Sequence, residues 1–419
     1  MKKLFSLTVI LVLVAGVVSA QTGRISVWSF TDELDQMIKD YFRSARPRIQ
    51  VNFSIVPYEQ FSYRLDRVFT SGNGVPDVFA LESASVRKYV ESGQLLDLTD
   101  IYETNKNRLL RYPVEVGTHN GRVYALSWHA APSAMFYRRS LARMYLGTDD
   151  PAIVQEYFSS MPKFLETARL LRERSNGTCA AVTGLDELRN AFLSTRSRSW
   201  VDNGRLVIDP AVEQYMDIAK ELRDSNLTGD IGQWSETWFE GMNRSVRGRN
   251  GQWIEIFAYF LPTWGLDYVL KPNSYDTSGD WAVIQGPSPY YWGGTWLAAW
   301  RNTPNAEAAK EFIRYFISDV DFSAGYAMSS RELVSNTEAI EQVSHNFNEP
   351  FLGGQNHYTV FADIAQRVNG RLGHGTGEID LIINDIFFTS LETYVTGQRT
   401  KQQALSDFRA EVTRRTGIR

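Results

Sequence analysis

Histidine, cysteine, serine and the carboxylates carry most protein chemistry, and their spacing here offers little of it. The five histidines (His119, His129, His345, His357 and His374) never fall in a His-Glu-x-x-His or similarly tight pattern, and a single cysteine, Cys179, builds neither a zinc site nor an intramolecular disulfide. The run Arg371–Glu378 is glycine-rich but lacks the Lys-Ser/Thr of a phosphate loop, and Gly72-Asn73-Gly74 lacks the third glycine of a dinucleotide turn. No Gly-x-Ser-x-Gly elbow is present. These patterns imply no cofactor, no metal and no catalytic residue. A glycosidase pair of carboxylates stays open, because sequence alone cannot set the separation between two acids. Adjacent Tyr290 and Tyr291 suit ferric-ion ligation by type, and equally an ordinary aromatic pair.

What the sequence does offer is flat rings beside hydrogen-bonding groups. Trp28-Ser29-Phe30, Pro57-Tyr58-Glu59 and Glu82-Ser83 each combine the two. That combination suits a sugar, whose C–H faces pack on aromatic rings while carboxylates accept its hydroxyl protons. Trp28 fits a half-buried core position as well, and Glu82 a solvated loop. Further aromatics fall in turn-like contexts: Trp128-His129, Trp253, and Tyr290-Tyr291-Trp292-Gly293-Gly294-Thr295-Trp296. The glycine pair would let backbone approach a ligand closely. Trp234, Trp238 and Trp264 read as core or rim.

The elements around these residues are predicted by periodicity. Arg24 to Phe30 alternates as a strand, and from Asp32 onward Leu34, Met37, Ile38, Tyr41 and Phe42 mark one helix face. Ile49, Val51, Phe53 and Ile55 alternate as a second strand, Phe61, Leu65, Val68 and Phe69 mark a second helix, and Pro76 to Leu81 is a short apolar strand. Such βαβ units build a parallel, helix-covered sheet, with ligands outside the carboxyl ends of its strands. Further helices are predicted around Pro162 to Leu171, behind a cap at Pro304-Asn305, and behind a capping box at Thr400 to Gln403. No short repeat suggests a solenoid or propeller.

With 419 residues, 43% hydrophobic, the chain is long enough for more than one compact unit and for a cleft between them. A net charge of -4 gives no footprint for nucleic acid or an anionic membrane. Met1-Lys2-Lys3, the apolar run Leu4 to Val18 and Val18-Ser19-Ala20 have the three parts of a secretory signal, so cleavage after Ala20 and an unlipidated start at Gln21 are expected.

Several segments, in order, carry a resemblance. Thr70 to Val78 resembles an "SG…PDV" signature. Gly93 to Thr99 resembles "G.L.PLT", with Asp97 in place of proline, and Asn120 to Ser127 resembles "G..YGLP". Met135 to Arg139 carries Tyr-Arg where the same group has "YN", and Pro287 to Trp296, Asn305 to Phe316 and Gly397 to Leu405 resemble its later motifs. The chain is thereby similar to the extracellular solute-binding proteins, family 1, of ABC sugar importers, the group that includes maltose-binding proteins. The resemblance implies two α/β lobes, each a helix-covered and mostly parallel sheet, with ligand held between them. By that analogy the first lobe takes residues 21–130 and 286–330, and the second takes 131–285 and 331–419. It implies a soluble, periplasmic or extracellular monomer that captures a sugar or oligosaccharide and delivers it to a membrane permease. The ligand contacts it points to are Trp28, Glu82, Trp253, Trp292, Gly294, Trp296 and Arg331, and Trp128 joins them as a candidate from the turn-like aromatics. A secreted carbohydrate-active enzyme, and a binding protein or sensor for a peptide, polyamine or metal, are the alternatives.

Overall fold

The structure, a computed structural model, describes residues 23–370, 372 and 377–419, so the expected export signal, His374 and most of the run Arg371–Glu378 lie outside the described residues. The chain is a two-lobed α/β protein whose lobes are built on separate sheets. In the first sheet, Gly23–Ser29 lies parallel to both Ile49–Ile55 and Val78–Glu82, as the βαβ reading predicts. Two later strands complete it: Thr295–Ala299 runs antiparallel to Val78–Glu82 and to Ala125–Ser127. In the second sheet, Pro132–Arg138 is flanked by Ala258–Pro262 and Trp281–Ile284, both antiparallel, with Tyr290–Tyr291 pairing its first residues.

Why the second sheet reads as continuous apolar sequence follows from the two-residue period of a strand. Ala134 and Phe136, with Tyr259, Leu261, Trp281 and Val283, face one core. Met135 and Tyr137, with Ala258, Phe260, Ala282 and Ile284, face the other. A strand buried on both sides leaves no polar face.

Asp77 explains one motif. Its carboxylate accepts from the Ser26 N–H at 2.7 Å and the Ser26 hydroxyl at 2.8 Å, from the Thr303 hydroxyl, and from the Asn305 amide at 3.1 Å. It therefore ties two parallel strands to the start of helix Ala306–Ser318. Asn305 stands at the N-cap as expected, but its side chain makes no capping bond, because Asp77 takes it. The capping box at Thr400 and Gln403 is formed.

The chain crosses from one sheet to the other between Ser127 and Pro132 and returns between Ile284 and Thr295. Where Leu333–Val334 pairs with His129–Ala130, three segments meet. There the buried His129 places Nδ1 2.9 Å from Glu332, and its Nε2 accepts the Thr295 N–H at 3.0 Å. Among the described residues, no helix is long and apolar enough to cross a membrane.

Candidate functional site

The carboxyl ends of the first three strands converge. Phe30 follows the first strand directly, Tyr58 opens helix Tyr58–Ser71, and Glu82 both ends its strand and caps helix Ser83–Glu91. Phe30 meets Tyr58 edge-on at 5.7 Å. Together they line a cavity of about 340 Å³, whose far wall is Glu378 and Leu381. Those two come from helix Glu378–Val395, which buries Ile383, Phe387 and Leu391 in the core on the outer side of the second sheet. The cavity therefore lies between the strand ends of the first sheet and a helix that packs in the core of the second.

Glu82 is held as an acceptor. One carboxylate oxygen takes the Ala84 N–H at 2.8 Å and the other the Ser83 hydroxyl, and each keeps a lone pair for a further donor. Burial raises its pKa, while these local bonds work in the opposite direction.

A second group of rings gathers around the segment that leads into the register partner of Glu82. Thr295 is that partner, and the Ser83 N–H donates to the Gly294 carbonyl at 3.3 Å, so Trp292-Gly293-Gly294 runs past the strand end. Gly293 has φ +80°, and a Cβ there would lie 2.9 Å from the Trp264 indole nitrogen. That nitrogen donates to the Trp292 carbonyl at 3.3 Å. Trp264 and Trp292 are 5.6 Å apart, and Trp234 lies 5.8 Å from Trp292 and nearly parallel to Trp264 at 6.4 Å. Trp234 is 46% exposed and holds φ +67°, a left-handed backbone costly for a bulky residue. Trp264 and Trp292 are half-buried. Flat faces of this kind, next to a carboxylate acceptor, can stack on a pyranose or furanose ring.

The expected contacts divide by where the fold puts them. Glu82 lines the cavity; Gly294 accepts the Ser83 N–H through its carbonyl, and Trp292 precedes it by two residues. Trp28 is half-buried against the first core, while Phe30, two residues on, reaches the cavity. Trp128 and Trp296 are each only 1% exposed: Trp128 stacks on His129, and Trp296 donates to the Pro113 carbonyl at 2.7 Å. Both are core side chains with no face left for a ligand. Trp253 is 57% exposed on a small separate sheet, with the Arg247 guanidinium 4.2 Å over its ring, and the structure does not bring it to Glu82. Arg331 ends helix Val320–Ser330 with φ +62°; its guanidinium donates to the Met328 carbonyl and lies 3.8 Å from Glu349. Tyr290 and Tyr291 are buried.

Of the tryptophans expected at core or rim, Trp238 is core, while Trp234, partly exposed, and Trp264, half-buried, form a ring cluster with Trp292. A signal for Trp264 was available: it stands two residues beyond the end of the strand Ala258–Pro262. A larger cavity of about 760 Å³ lies elsewhere on the first lobe. Its charges are spent on neighbours, Arg111 on Glu115, Lys106 on Glu103 and Arg87 on Glu91, so nothing converges on a ligand there.

Comparison with known proteins agrees with this architecture. A family model described as bacterial extracellular solute-binding protein matches residues 28–321. The chain is 22% identical to the arabinooligosaccharide-binding protein of Bacillus subtilis (strain 168) over 92% of each sequence. Among solved structures, an extracellular solute-binding protein of family 1 superposes with a TM-score of 0.79 at 19% identity, covering 93% of this chain and 99% of that one. The ABC-transporter-associated binding protein of B. animalis subsp. lactis Bl-04, solved with β-1,6-galactobiose, superposes with a TM-score of 0.66 at 21% identity, covering 94% and 97%. With the family model covering most of its length, the chain belongs to the bacterial extracellular solute-binding proteins.

Proposed function

We propose that this protein captures a sugar or oligosaccharide between its lobes and delivers it, without chemical change, to the permease of an ABC importer. The observation that carries this reading is the cavity in which an acceptor carboxylate, Glu82, meets Phe30 and Tyr58; the cluster of Trp234, Trp264 and Trp292 stands on and around the segment that leads into Thr295, the register partner of Glu82. The relatives' ligands, an arabino-oligosaccharide and a galactobiose, are of the same class. Export with removal of residues 1–20, a monomeric state, and lobes divided at 21–130 with 286–330 and 131–285 with 331–419 belong to the same proposal. The first sheet crossing, between Ser127 and Pro132, supports the bound near residue 130, and the return, between Tyr291 and Thr295, falls a few residues after 286. A binding protein of this design closes on its ligand, and closure presents one composite surface to the permease. Calorimetry across α-1,5-arabino-oligosaccharides, β-1,6-galactobiose and maltotriose tests the ligand class, with small-angle scattering of the same samples. Saturable binding with compaction and an unaltered sugar is expected. Hydrolysis of the bound sugar, or no binding across the panel, would overturn the reading.

A further inference from the structure

Behind Trp234 sits a carboxylate that ligand capture does not touch. Glu187, 3% exposed, lies in the short turn Leu185–Leu188. One of its oxygens accepts the Thr183 hydroxyl at 3.0 Å and the indole N–H of Trp238; the other accepts the Phe260 N–H at 2.8 Å. None of these donors is a cation. The titratable groups facing it are Asp186 on its own turn and Tyr259 and Tyr290 from the second sheet. An uncompensated buried acid is a poor way to gain stability, and an apolar side chain of similar size would serve packing better.

What Glu187 grips gives it a purpose. Trp238 is fully buried and stands 5.0 Å from Trp234, and Phe239, 4.8 Å from Trp238, also packs edge-on against Trp234. Trp234 keeps a strained backbone, and such strain persists only where the surroundings over-determine it. Ring packing alone leaves Trp238 free to slide in its own plane. A hydrogen bond at the indole nitrogen removes that freedom.

We infer that Glu187 is a positioning residue which, through the Trp238 indole, holds Trp234 in the plane on which the sugar stacks. This rests on the sugar reading above. Ionised, the carboxylate can serve all of its donors. A proton on it takes up a lone pair and asks for an acceptor of its own, so the grip on Trp238 loosens. Burial pushes its pKa up to about 7, which brings that loosening into an accessible range.

The test follows the indole N–H resonance of Trp238, assigned by its loss in Trp238→Phe, from pH 5.5 to 8.5. The dissociation constant of α-1,5-arabinotriose is measured over the same range. In the wild type the resonance should shift with a midpoint near neutrality, and arabinotriose should bind about tenfold more weakly at the acid end. In Glu187→Gln both pH dependences should vanish, and Trp238→Phe, whose ring has no N–H for Glu187, should weaken binding. An arabinotriose affinity that is flat with pH in the wild type overturns the inference, whether or not the variants fold. So do variants that fold and bind as the wild type does. If the wild type binds none of the panel sugars while the resonance still titrates, the sugar reading fails first and takes this inference with it; if a panel sugar other than arabinotriose binds, the same pH series on that sugar decides.

Discussion

Among the tryptophans, position rather than number sets what each can contribute. Trp264 combines a half-buried ring, a fixed indole nitrogen and neighbours on two sides. Trp264→Ala should therefore weaken the cognate sugar by about 2–4 kcal/mol, or roughly 30- to 800-fold. Trp253→Ala should leave affinity within about threefold, because its ring is committed to Arg247 away from the cavity. Calorimetry on the two variants checks both, and equal losses would contradict the assignment. Glu82→Ala has two effects. It removes a helix cap, worth about 1 kcal/mol in denaturant unfolding, and an acceptor whose loss should weaken binding about tenfold or more. Glu82 was legible in the sequence because an acid follows an apolar strand. The cap was not read from the sequence: Glu82 accepts from Ser83 and Ala84 only once the helix behind it has formed.

At the level of elements, Asp77 separates what holds the first lobe together from what binds. Burial, which would raise its pKa, is outweighed by hydrogen bonds from Thr303, Ser26 and Asn305, so the pKa is lowered. Its contribution is thus present above the ordinary carboxylate pKa and is lost as pH falls through the lower folded value. Asp77→Ala strands several donors and should cost about 3 kcal/mol in urea unfolding, with sugar affinity unchanged in the folded fraction. A parallel loss of affinity would mean that this tie also shapes the cleft. The crossings behave differently. The Thr295 N–H needs a lone pair on His129 Nε2, and Glu332 faces the opposite nitrogen, so one imidazole joins three stretches of chain far apart in sequence. No local pattern around Trp128-His129 announces such a role.

For the whole molecule, two buried groups push stability in opposite directions with pH. His357, 1% exposed, donates from Nε2 to the Arg331 carbonyl at 3.1 Å, and its Nδ1 has no partner among the described residues. Burial lowers its pKa from 6.5 to about 4. The unfolded chain then binds more protons between those values, so this contribution is full above 6.5 and falls on acidification. Glu187, raised from 4.5 to about 7, does the reverse: the folded chain binds more protons, and stability is lost as pH rises through that window. Each effect is on the order of 3 kcal/mol at full extent, so between about pH 5 and 6.5 they should nearly cancel. Urea midpoints should rise with pH in Glu187→Gln and fall in His357→Gln, each measured relative to the wild type. Matching slopes in all three proteins would show that neither group titrates as described.

Local interactions were readable from the sequence because neighbouring residues make them. The alternation of Arg24 to Phe30, the helix face through Phe61 and Leu65, and the capping box at Thr400 and Gln403 all appear close to where they were expected. So do the strand ends carrying Phe30, Tyr58 and Glu82, because a strand's end is a one-dimensional fact. Which aromatic meets which is not. Trp128, Trp253, Trp264 and Trp296 have the same chemistry in the sequence, and burial, sheet register and the return of the chain at Gly293-Gly294 sort them into core, surface and cluster. Glu187 shows the same limit from the other side. Its charge reads as a solvated acid until Thr183, Trp238 and Phe260, distant along the chain, close around it, and only tertiary packing creates that environment.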